Sequence, residues 1–334
     1  APVVERNRML LRISIAILLF AAQPAFGTSI LPQAEAIRTY VEQIRAGSTL
    51  TIAGQTISSA LVLPSLYERR DYMPVWDNPH AVRQLLETLE HVENDGLVSN
   101  DYHLPVILKL QANNLVGDPA TAAGLDILMT DALIRLGYHL LAGKVDAEEL
   151  DANWNMTVTI GDLDTVLSLA EAIESARIPQ LIEQLRPHHA YYTYLQQGLA
   201  RYRTIREQGG WQSVPDGPAL KSGMADARIP AIRERLSVTG ELSTADTASD
   251  IYDETLTGAV KQFQQHHGLT ADGVVGPATV AAMNVPVQAR IDQIKVNLER
   301  ARWVLHDLPE DVVIVDIAGF EVSYRRGGKI VWST

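Results

Sequence analysis

The sequence predicts a mainly α protein: a helical domain, then a small three-helix unit, then a few β-strands. Three observations carry that expectation. Apolar residues recur at helical spacing between residues 34 and 208. Residues 228–286 hold a compact grammar of cap, glycine terminator, turn and proline-led helix. At Val312 the apolar period changes from 3.6 to 2. A chain of 334 residues, 46% hydrophobic and 20% charged, is long enough for two or three domains.

The elements follow in order. Ile37, Val41 and Ile44 mark a helix over 34–45. Residues 49–57 alternate around Gly54-Gln55 and predict a small hairpin. Val82, Leu85, Leu86 and Leu89 share one face of a helix over 79–93, which ends before Asp95-Gly96. Residues 125–141 form a strongly apolar helix stopped by Gly143. Two more helices cover 164–176 and 190–208, the second closing at Gly209-Gly210. Residues 28–210 thus form one helical domain without internal repeats. Residues 211–227 open turn-rich and read as a linker. Residues 228–286 are the small unit, with a polar loop at 243–250, and 287–311 contain an amphipathic connecting helix.

From Val312 to Ile317 the chain is β-branched, broken only by Asp316. Phe320, Val322 and Tyr324 then alternate with polar neighbours, and Gly327-Gly328 marks a hairpin before 329–332. Three short strands bury little alone, and an unfinished sheet leaves an unpaired edge. Residues 312–334 therefore read as the start of a truncated domain.

Composition excludes several chemistries. The formal net charge is −12, which disfavours nucleic acid and anionic lipid as partners. There is no cysteine, so the chain has no disulfide, thiolate metal site or thiol nucleophile. At the N-terminus, Arg6, Arg8 and Arg12 precede the apolar run 13–22, and small residues end at Gly27. Residues 1–27 read as a secretory signal peptide, too short in its apolar part to span a bilayer. The histidine pairs His188-His189 and His266-His267 point in divergent directions on a helix, and no His-Glu-x-x-His motif occurs, so no metal site is expected. Trp154, Trp211 and Trp303 could stack on sugars, but packing is the plainer reading. Glu148-Glu149 reads as a solvated helix edge. No other cofactor is implied.

The densest signal lies in 251–285. Asp253 can cap a helix whose stripe is Leu256, Ala259, Val260 and Phe263. Gly268 terminates it, Asp272-Gly273 turns the chain, and Gly276-Pro277 opens a second helix with Val280 and Met283 inward and Asn284 closing it. The wording Leu256-Thr257-Gly258-Ala259-Val260-Lys261-Gln262-Phe263-Gln264-Gln265-His266-His267-Gly268-Leu269, followed by Asp272-Gly273-Val274-Val275-Gly276-Pro277-Ala278-Thr279, closely resembles the small three-helix peptidoglycan-binding domain, with 229–242 as its first helix. The motif positions Phe263, Gln264, Gly268, Leu269, Asp272, Gly273, Gly276 and Thr279 are the candidate site, with Phe263 and Leu269 expected in the core and the glycines expected for backbone reasons.

Such modules accompany many wall enzymes, so the neighbours must decide the chemistry. Residues 79–105, 131–154 (with Gly143-Lys144-Val145-Asp146) and 199–211 resemble the scaffold domain of large periplasmic L,D-transpeptidases. Glu299-Arg300-Ala301-Arg302-Trp303 and 313–322 resemble the lead into their catalytic domain, although Asp316-Ile317-Ala318-Gly319 stands where Asn-Ile-Pro-Ala is expected. The resemblance implies an exported Gram-negative protein, peptidoglycan as partner alongside other wall enzymes, and acyl transfer through a cysteine thiolate in a Ser/Thr-x-Gly-Cys segment. Nothing in this chain matches that segment, so no catalytic residue transfers and the chain alone should be inactive. A complete non-catalytic wall-binding protein and a peptidoglycan hydrolase remain as alternatives.

Overall fold

A computed structural model describes residues 32–112, 118–150, 165–243, 249–306, 308–309, 311–316, 321–327 and 329–334. The expected signal peptide and Trp154 lie outside these residues. The protein is mainly α-helical with a small β portion, as the periodicity predicts.

The first body begins with α1 (Pro32–Arg45), a two-residue hairpin β1 (Thr51–Ile52) and β2 (Gln55–Thr56), and α2 (Leu63–Glu68). The hairpin turns at Ala53-Gly54, both at positive φ, one residue before the expected position. Next come α3 (Pro79–Glu90), α4 (Leu104–Ala112), α5 (Pro119–Ala142), α6 (Ala147–Leu150), α7 (Thr165–Glu174) and α8 (Ile178–Gln184). Asn78 caps α3 by accepting from His80 N–H, and Pro79 sits at its first position. The last turn expected for α3 is instead a 3-10 turn over Val92–Asp95, closed by left-handed Gly96.

Helix α5 is the spine. It is apolar nearly all round, and Ile127, Leu128, Leu133, Leu136 and Leu140 are buried in a core shared with α1, α2 and α4. Two carboxylates on it serve backbone that no helix or sheet satisfies. Asp126 accepts from Val75 and Trp76 N–H at 3.1 Å each and from the Tyr67 hydroxyl at 2.6 Å. Burial nevertheless pushes its carboxyl up to about 6. Asp131 accepts from Ser58 and Ser59 N–H and pairs with His103 Nε2 at 2.7 Å. Burial raises this acid too, but those bonds outweigh it and hold it below its ordinary value.

Helices α9 (Ala190–Glu207) and α13 (Val287–Val304) form an antiparallel pair around Tyr192, Leu199, Ile291, Leu298 and Ala301. Tyr192 meets Arg302 at one end, and Arg206 meets Gln288 at the other. Between them lies a second body of α10 (Ile229–Thr239), α11 (Glu254–His266) and α12 (Pro277–Met283) with its own core.

After α13, β3 (Val312–Asp316), β4 (Glu321–Arg326) and β5 (Lys329–Ser333) form an antiparallel sheet in the order β3-β4-β5. Val313 pairs with Tyr324 and Tyr324 with Trp332, so these share a face. Val313, Val315, Ile330 and Trp332 are all more than half exposed, in line with the small burial expected of three strands.

Candidate functional site

The second body follows the sequence grammar closely. Asp253 accepts from Leu256 N–H at 2.8 Å and caps α11. The stripe Leu256, Ala259, Val260 and Phe263 packs on Ile229, Ile232, Leu236, Val280 and Met283. Gly268 takes φ +65° at the helix end.

The motif residues then divide by role. The Gln264 side chain is 2% exposed and makes four bonds. Its amide nitrogen donates to Asp272 Oδ1 (2.9 Å), Val274 O (3.0 Å) and Thr279 Oγ1 (3.2 Å), and its oxygen accepts from Gly273 N–H (2.9 Å). Asp272 Oδ1 also accepts from Val274 N–H, which helps hold its carboxyl below the ordinary range. Gly273 sits at φ +75°, and a β-carbon there would lie 3.0 Å from both Lys261 Cε and Thr257 Cγ2. Gln264, Asp272, Gly273 and Thr279 therefore build the turn that locks α11 to α12. Phe263 is fully buried. Of the eight motif positions, Asp272 and Gly268 are exposed, and Leu269 and Gly276 are half-buried.

Two expectations need correction. Leu269 is not a core residue: its backbone N–H reaches Gln264 O, but its side chain stays partly in water. Gly276 has an extended backbone (φ −92°, ψ −177°) and open space where a β-carbon would go, so no backbone constraint demands glycine there.

The residues expected as a linker also pack. Val214 and Leu220 are 1% exposed within the module core, and Leu220 bridges to Val275. Trp211 Nε1–H donates to Val285 O at 3.2 Å, and its ring covers the Arg235 guanidinium at 3.8 Å. Arg235 is 1% exposed, with Phe263 5.4 Å from its guanidinium carbon. It donates to Met283 O and Thr239 Oγ1, and burial pushes it down to about 10. Nothing in the sequence marks this arginine, since an Arg-Glu-Arg stretch on a helix ordinarily reads as solvated.

His266 and His267 diverge as expected. His266 Nδ1 lies 3.2 Å from Glu241, while the His267 ring packs against Phe263 at a tilt of 51°, with centroids 4.1 Å apart. Burial, then Arg290 and Arg235, push His267 down to about 4, so it is neutral and gives no charge to the helix end. Among the described residues no group of three or more His, Cys, Asp or Glu converges as a metal site would require. No helix among them is long and apolar enough to cross a membrane.

Comparison with known families matches residues 62–199 to the scaffold domain family and residues 226–283 to the peptidoglycan binding domain family. The chain thus carries both a scaffold domain and a peptidoglycan-binding domain. A curated relative, N-acetylmuramoyl-L-alanine amidase CwlM of Mycobacterium tuberculosis, is 40% identical over 76 residues, covering 20% of this chain and 19% of that protein. The matched part spans about a fifth of the relative's length.

Proposed function

We propose that this chain is the wall-engaging part of a periplasmic L,D-transpeptidase, holding peptidoglycan while a cysteine thiolate joins stem peptides. The observation that carries the reading is the pairing of a scaffold domain with a peptidoglycan-binding domain in one chain. The wording of 299–303 and 313–322, which resembles the approach to that family's catalytic domain, adds the chemistry. The thiolate would attack the carbonyl beside the terminal D-alanine of one stem, expel that residue, and pass the acyl group to an amine of a second stem. These 334 residues contain no cysteine, so the nucleophile must come from outside them.

The amidase match favours a second reading, a wall hydrolase that uses the same kind of module. One experiment separates the two. The purified chain is sedimented with isolated wall sacculi, and the soluble fraction is analysed for released fragments. Co-sedimentation without release supports the transpeptidase part. Released muropeptides would replace it with the hydrolase, and failure to sediment would remove wall binding itself. The native protein's intact mass, with an open frame encoding a Ser/Thr-x-Gly-Cys segment, tests the cysteine chemistry directly.

A further inference from the structure

The geometry points to the peptidoglycan-binding module being a rigidly mounted insertion in the scaffold, with α13 a scaffold helix rather than a connector. Three tiers of contact carry this.

The first is where the chain enters and leaves the module. The two ends lie side by side: a β-carbon on Gly210 would sit 3.1 Å from Val287 Cγ1, and Arg206 donates to Gln288 at 3.3 Å. Two stitches hold them. Trp211 donates to Val285 O, and the Asn284 side chain accepts from Val214 N–H (2.8 Å) while donating to Val214 O (2.9 Å).

The second tier orients the module. Arginines place charge on the carbonyl ends of its helices, where the helix dipole favours cations. Arg201 of α9 donates to Thr239 O at the end of α10. Arg290 of α13 donates to Ala282 O of α12 at 3.1 Å, and Arg235 reaches Met283 O from within. Both flanking helices therefore grip the module at the neighbouring C-terminal ends of α10 and α12, which Arg235 bridges.

The third tier fixes α13 to the first body. Arg302, 1% exposed, donates to Asp95 O at 2.9 Å and to the Tyr192 hydroxyl at 3.1 Å. The Asp95 carboxylate accepts from Arg186, Tyr192 and Gln196. Glu299 accepts from Lys144 and Val145 N–H at 2.5 and 2.9 Å, and Trp303 lies against Gly143 so closely that a β-carbon there would be 2.3 Å from its Nε1. A module joined only by a linker would not be held by bonds such as those of Arg201 and Arg290 from the helices around it.

The consequence goes beyond wall binding: the module cannot swing, so the strands that follow α13 start from a fixed point relative to any bound polymer. Because the chain has no cysteine, two introduced cysteines take spin labels with no background. Labels at Gln265→Cys on α11 and Glu90→Cys on α3, both exposed, report the distance between the bodies in the full chain. One narrow distance population is expected, and a broad or multiple distribution overturns the proposal. Adding Arg201→Ala, and separately Trp211→Ala, should broaden the distribution with helical circular dichroism unchanged; a distribution left narrow in both would show that these contacts are not the mount. No wall is present in the measurement, so its failure is separate from failure of the wall reading.

Discussion

Gln264 shows how a recurring motif letter can be structural without touching a ligand. Its amide satisfies the turn between α11 and α12 on both donor and acceptor sides. Gln264→Ala leaves several buried groups unpaired and should cost about 2–4 kcal/mol, read from denaturant unfolding. Asp95→Ala should cost more, about 3–5 kcal/mol, because it strips a buried carboxylate from Arg186 and two further donors. His267 sets a pH dependence. Its folded value of about 4 lies below its ordinary 6.5, so on acidification the unfolded chain takes the proton first. The stability this group provides is present above about pH 6.5 and is lost as the pH falls from 6.5 toward 4. His267→Gln should therefore lose less stability than the parent across that window; equal losses in paired unfolding curves would remove His267 as the cause. Residue roles were unevenly legible. Asp253 and Gly268 could be read because capping and left-handed termination depend on local chain geometry. Arg235 could not, because its burial comes from Trp211, Phe263 and Met283, which only the fold brings together.

At the scale of elements, long periodic helices were plain and short ones were not. Helices α2 and α8 are six and seven residues long and carry too little periodicity to announce themselves. Each has proline in its first turn, and they form because Leu63, Leu66, Ile178, Leu181 and Ile182 have a core to enter. Residues 211–227 misled in the opposite sense. Their prolines and glycines signal turns, but turns can pack, and Val214 and Leu220 do. Two predictions belong here. Asp253→Ala removes the cap of α11 and one partner of Arg233, and should cost about 1–2 kcal/mol, seen as a lower melting temperature. Gly143→Ala forces a β-carbon into Trp303 at φ +88° and should loosen the end of α13. The expected cost is about 1–3 kcal/mol, with faster hydrogen exchange confined to α13 and the 143–145 segment. Exchange unchanged in α13 would mean that the clasp contributes little.

At the scale of the molecule, the small module was readable from its grammar of caps and turns, and the β tail from the change in apolar period at Val312. How those parts are joined was not, because the joint consists of contacts between residues far apart in sequence, such as Arg302 with Asp95 and Glu299 with Lys144. The adjacency of Gly210 and Val287 has a further consequence, for what a protease would leave behind. A single cut anywhere between α10 and α11 divides the chain into two pieces, each holding one helix of the α9–α13 pair. Those helices remain bound through their shared core and through Arg302, so the nicked protein should elute from a sizing column as one particle yet run as two bands once denatured. Damage from a wall-associated protease would then be silent to any assay that measures only size.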